Sequence, residues 1–89
     1  MIPKTLILTN QLGLHARASA KLSDLATRFR SKITVDYKGR ALNVKDILNV
    51  ISLGSPCGTS LTFTFEGEDE IEAAKAIEQL ITEKFGEEN

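Results

Sequence analysis

Gly13-Leu14-His15-Ala16-Arg17 follows an alternating apolar segment, Lys4 to Thr9, and precedes a helical pattern that begins near Ala16. That context predicts a strand-to-helix turn with His15, the only histidine of the chain, at or beside the helix N-cap. The first amides of a helix lack an intrahelical partner, and the macrodipole places partial positive charge there. An anion held at that end is stabilised by those amides. Arg17 adds a planar, permanently charged fork suited to phosphate oxygens. A lone histidine at a helix start also reads simply as a cap or a surface residue. Two features favour chemistry: Gly13 frees the backbone just before the turn, and the helix opens with small residues (Ala16, Ala18, Ser19, Ala20) that leave the imidazole approachable. Imidazole, free amides and guanidinium together form a site for a phosphoryl group carried on His15.

Outward from that turn, 89 residues with 42% hydrophobic and 26% charged content describe one small globular domain spanning 1–89. So short a chain has no room for a deep active site of its own, so its chemistry is expected at the surface, with a larger partner. One cysteine, Cys57, excludes an internal disulfide, and one Cys with one His cannot build a structural zinc site. Cys57, in Ser-Pro-Cys-Gly, is expected in a turn. No signal peptide or membrane span is legible, so a cytoplasmic location without membrane insertion is expected. The net charge of -1 hides asymmetry: residues 1–45 hold nine basic residues against two acids, and residues 46–89 hold two against ten. Arg17, Lys21 and Arg28 lie on the helix after His15, which favours an acidic partner. Nucleic acid is discounted, because aromatics are few, Trp is absent and no basic run occurs.

Periodicity supplies the remaining elements. A helix is expected from about Ala16 to Phe29, with Ala18, Leu22, Leu25, Ala26 and Phe29 on one face. Ile33, Val35 and Tyr37 alternate with polar residues, Lys38-Gly39 turns tightly, and Arg40–Val44 returns with Leu42 and Val44 inward. Leu61, Phe63 and Phe65 mark the clearest strand. A last helix runs from near Asp69 to about Lys84, with Ile71, Ala74, Ile77 and Ile81 inward, stopped by Gly86. Glu87-Glu88-Asn89 reads as a frayed polar tail. Four one-sided strands with three interspersed helices imply an α+β fold: an antiparallel sheet with the helices on one face, in the order βαββαβα.

The middle helix is unusual. Asp46 is a good N-cap, and five of the seven residues from Ile47 to Leu53 are apolar, more than one core-facing stripe requires. With Val50 and Leu53 in the core, Ile47, Leu48 and Ile51 are left as an exposed docking patch.

Gly13-Leu14-His15-Ala16-Arg17, Tyr37-Lys38-Gly39 and Lys45-Asp46-Ile47-Leu48-Asn49-Val50-Ile51-Ser52-Leu53-Gly54, in this element order, resemble the histidine-containing phosphocarrier family, HPr, of the bacterial phosphoenolpyruvate-dependent sugar phosphotransferase system. The resemblance covers essentially the whole chain. It implies an open-faced β-sandwich in which His15 takes a phosphoryl group on Nδ1 from enzyme I and passes it to a IIA-type subunit. Arg17 would position the phosphate, with the backbone of Ala16 and Arg17 binding it. Ile47, Leu48, Ile51, Ala20 and Lys21 would form the shared partner surface. A monomer without cofactor or metal, acting as a carrier and not as an enzyme by itself, is also implied.

Two departures from the family pattern stand out. The family motif continues with proline where this chain has Ala18, a good helix former, so little structural loss is expected. Asp46 stands where many Gram-positive members carry a serine phosphorylated by a regulatory kinase. It excludes serine-based regulation there, and it either imitates the phosphoserine charge or simply caps the helix. Two other functions stay open: the same chemistry in a nitrogen-related regulatory branch, and a protein-interaction regulator of this fold that leaves its histidine unused. Retention of both His15 and Arg17 argues against the second.

Overall fold

The computed structural model describes residues 1–87. Its elements run β1 (Ile2–Ile7), α1 (Ala16–Thr27), β2 (Lys32–Tyr37), β3 (Arg40–Asn43), α2 (Ile47–Leu53), β4 (Ser60–Glu66), α3 (Glu70–Thr82) and a 3₁₀ turn, Lys84–Gly86. The four strands form one antiparallel sheet in the order β1-β4-β2-β3. Because β4 lies between β1 and β2 and is antiparallel to both, β1 and β2 run parallel and α1 bridges them over one face. Alternation sends Leu6, Ile33, Val35, Leu61, Phe63 and Phe65 to that face, where they meet Ala18, Leu22 and Ala26 of α1, and Ala73, Ala74, Ile77 and Ile81 of α3, in a single core. The opposite face stays open, with Thr5 paired to Thr62 and Thr34 to Thr64.

Element boundaries differ from the sequence reading at several points. The first strand begins and ends two residues earlier than expected, and α1 stops at Thr27, with Arg28 as its C-cap. Ile71, expected inward, is 56% exposed. It lies about 100° round α3 from the centre of the stripe formed by Ala73, Ala74, Ile77 and Ile81. Two adjacent alanines let the helix approach the sheet there. At the other end α3 stops at Thr82, before Gly86, and the chain turns back: Lys84 and Phe85 take left-handed backbone (φ 58° and 57°), and Phe85 is buried in the core. The expected frayed tail is therefore corrected at Glu87, which is fixed against His15, while Glu88 and Asn89 lie outside the described residues. The Lys38-Gly39 turn holds, with both residues at positive φ.

Asp69, expected to open α3, makes no helix-capping side-chain bond. Its carboxylate instead accepts hydrogen bonds from the amides of Arg30 (2.9 Å) and Ser31 (2.9 Å) and from Ser31 Oγ (2.5 Å), tying the α1–β2 connection to the start of α3. The Ser31 hydroxyl above all, then the Arg30 amide, holds this carboxyl below its ordinary value. A carboxyl depressed by folding stabilises the protein above its unfolded pKa, and that stability is lost as pH falls through the lower, folded value. Stability should therefore fall on acidification below the ordinary carboxylate range. Asp69→Asn should lower the melting temperature at neutral pH and flatten that acid slope, as thermal melts across pH would record.

Candidate functional site

His15 is the N-cap of α1, in extended backbone, and its carbonyl accepts the first helical bond, from the Ser19 amide at 2.8 Å. The amides of Ala16, Arg17 and Ala18 find no acceptor among the described residues. They form the positive end of a twelve-residue helix, with no acidic residue in its first turn to compete for them.

The loop that carries His15 is held from two sides. Leu14 donates its amide to the Ser55 carbonyl (2.8 Å), while Leu8 exchanges backbone bonds with Thr59 (3.0 Å) and Gly58 (2.7 Å). Gly13 has φ of 65°, and a Cβ placed on it would stand 2.5 Å from the Ser55 carbonyl oxygen and 2.8 Å from Pro56 Cα. Only glycine permits this approach. Asn10, fully buried, donates Nδ2 to the Gly13 carbonyl (2.7 Å) and to Glu87 Oε1 (3.2 Å).

The imidazole is 28% exposed, and its Nε2 lies 2.5 Å from Glu87 Oε2. The His15 hydrogen bond, aided by Asn10 and by the charges of His15 and Lys21, holds the Glu87 carboxyl below its ordinary value against the opposing effect of burial. An ionised carboxylate can only accept, so Nε2 is the donor. In the neutral ring Nδ1 then carries the lone pair, and Nδ1 makes no capping bond.

The basic face expected on α1 is divided. Lys21 donates Nζ to the Phe85 carbonyl (2.6 Å), and Arg28 pairs with Asp24 (3.0 Å). Arg17 is exposed and makes no ion pair or side-chain hydrogen bond among the described residues. Ala16 is exposed and Ala20 half-buried. On α2, Val50 and Leu53 are buried, whereas Ile47, Leu48 and Ile51 are 39%, 71% and 43% exposed. Leu12, on the loop before His15, is 67% exposed and extends the set of uncovered apolar side chains beyond those named from sequence. Asp46 caps α2, its Oδ1 accepting the Leu48 amide at 3.0 Å. Cys57 is exposed in a turn, as expected.

Sequence reasoning missed Asn10 and Glu87. Asn10 looks like an ordinary loop residue. Phe85 was the available signal: it continues the Ile77–Ile81 stripe by four residues, and burying it fixes where Glu87 must lie.

The class so defined is a small open-faced α+β domain with an N-cap histidine beside amides that find no acceptor among the described residues, a geometry that suits an anion. Comparison with known proteins narrows that class. The family described as the PTS HPr component phosphorylation site matches residues 2–83. The chain is 42% identical over 87 residues, 98% of each protein, to phosphocarrier protein HPr of Xylella fastidiosa strain 9a5c. It superposes on the crystal structure of HPr-C-His from Thermoanaerobacter tengcongensis with a TM-score of 0.93 at 40% identity, covering all of both chains. A crystal structure of an HPr dimer from the same organism gives a TM-score of 0.76 at 40% identity, over 98% of this chain and all of that one. The chain belongs to the HPr family of phosphocarrier proteins of the bacterial phosphotransferase system. No helix among the described residues is long and apolar enough to cross a membrane.

Proposed function

We propose that this chain accepts a phosphoryl group on Nδ1 of His15 from enzyme I and passes it to a IIA-type subunit in sugar uptake. The observation that carries the proposal is the arrangement at the start of α1: three amides without an acceptor among the described residues, beside an imidazole whose Nε2 is occupied by an acceptor-only group. Nδ1 is the nitrogen left with a lone pair. It attacks phosphorus as the donor–phosphorus bond breaks, and the phosphoryl oxygens take hydrogen bonds from the backbone amides of Ala16 and Arg17 and from the Arg17 guanidinium. The P–N bond is high in energy, so loading and unloading are near balance, and the partners supply the remaining catalytic groups. The chain is thus a carrier and not a self-sufficient enzyme. It works in the cytoplasm as a monomer, without metal or cofactor. Sedimentation at working concentration checks the monomer, since a related HPr has been solved as a dimer.

Incubation with phosphoenolpyruvate and enzyme I, followed by intact mass measurement, should show one added phosphoryl group that is acid-labile and absent from His15→Ala. If no adduct forms while a known carrier is labelled in parallel, the chain is an interaction regulator instead.

The partner surface has its own test. Ile47, Leu48 and Ile51 with Ala20 and Lys21 form the docking face in this proposal, and Leu48 is the most exposed of the three apolar residues. Leu48→Glu should raise the KM for enzyme I roughly tenfold, the cost of losing one well-packed interface contact, with melting unchanged. Melting lowered by many degrees would make Leu48 a structural residue.

A further inference from the structure

We propose that Glu87 is a positioning residue for His15: its carboxylate, delivered by the strained turn at Lys84–Gly86, keeps the proton on Nε2, and so keeps the lone pair on Nδ1. The inference rests on the carrier reading above and deepens it.

Four observations carry it. Nε2 lies 2.5 Å from Glu87 Oε2, within hydrogen-bond contact of an ionised carboxylate. The other carboxylate oxygen, Oε1, accepts from Asn10 Nδ2 at 3.2 Å, and the same nitrogen holds the Gly13 carbonyl at 2.7 Å. Carboxylate and histidine loop therefore share one buried anchor. Lys84 and Phe85 both adopt left-handed backbone that non-glycine residues avoid, which needs compensation elsewhere. Phe85 in the core and the bond from Lys21 Nζ to its carbonyl provide that compensation.

The consequence for transfer follows from charge. When the Nδ1 lone pair forms the P–N bond and the donor–phosphorus bond breaks, no proton leaves Nε2 and the ring becomes cationic. Glu87 neutralises that cation while the phosphoryl oxygens are met on the opposite side. When the group passes on, the P–N bond breaks, its electron pair returns to Nδ1, and the ring is neutral again. A fixed orienting partner of this kind on a functional histidine is typically worth ten- to a hundredfold.

The test compares wild type, Glu87→Gln and Glu87→Ala, using phosphoenolpyruvate and enzyme I, with proton–nitrogen spectra of the His15 ring. Wild type should show a slowly exchanging, downfield Nε2 proton that is weakened in the Gln variant and lost in the Ala variant. The kcat for phosphoryl acceptance should fall roughly tenfold to a hundredfold in both, with KM for enzyme I unchanged and the melting temperature lowered by no more than a few degrees, the cost of the bonds to Asn10 and His15. Unchanged kcat, a raised kcat, or an effect confined to KM would each overturn the assignment; a raised kcat would make Glu87 an obstruction. Wild type that forms no adduct would overturn the carrier reading itself, whereas equal labelling rates in all three proteins overturn the role of Glu87 alone.

Discussion

Gly13→Ala should be among the most damaging single substitutions in the molecule, costing about 3 kcal/mol of stability and most of the transfer rate. Two costs combine. Left-handed backbone disfavours any residue with a Cβ by roughly 1–2 kcal/mol, and φ at Gly13 is 65°. The added carbon would also stand 2.5 Å from a backbone oxygen, where no side-chain rotation can relieve it, and overpacking of that kind costs roughly another 1–3 kcal/mol. In a domain of this size the sum corresponds to a fall of roughly 15 °C in melting temperature. The contact is also what sets the His15 loop, because Leu14 bonds to Ser55 directly beside it. Gly39→Ala is the control: its φ is 81°, but nothing lies within 4 Å of the added carbon, so it should show the conformational cost alone. Similar melting of the two variants would show that the approach of residues 55–57 does not position the histidine loop.

Arg17→Ala should slow phosphoryl transfer on the order of a hundredfold to a thousandfold, the scale of removing one preorganised donor from developing charge. Melting should stay within a few degrees. The separation of these two effects is the point. Arg17 is exposed and makes no ion pair or side-chain hydrogen bond among the described residues, so its removal breaks no polar contact there. Lys21 and Arg28, by contrast, are already engaged by Phe85 and Asp24, and their loss should be felt less in transfer. An Arg17→Lys variant should recover part of the rate, since charge is retained while the planar fork is lost. Equal transfer rates for Arg17→Ala and wild type would remove Arg17 from the mechanism.

Much of the architecture was legible because its signals are local. Alternation in Ile33–Tyr37 and Leu61–Phe65 gave one-sided strands, Lys38-Gly39 a tight turn, and the surplus of apolar residues after Asp46 an exposed patch on α2. Ile71 is apolar yet faces solvent, because the stripe through Ala73, Ala74, Ile77 and Ile81 sets the buried side of α3 and residue 71 falls outside it. The histidine and arginine of the candidate site were legible for the same local reason: they flank the first turn of one helix. Glu87 was not, because it joins His15 across 72 residues. Its placement depends on left-handed backbone at Lys84 and Phe85, which no residue preference announces. Acidic residues at a chain end look solvated until the buried aromatic beside them is counted. Asn10 escaped notice likewise, since only the assembled loop reveals that one amide group serves both Gly13 and Glu87.

Assignment of the phosphorylated nitrogen by phosphorus–nitrogen coupling, on protein labelled at its single histidine and charged from phosphoenolpyruvate through enzyme I, is the decisive measurement. Phosphorus coupled to Nδ1 of His15, with Nε2 still protonated, is the expected result. Phosphorus on Nε2, or on any residue other than His15, would contradict the account.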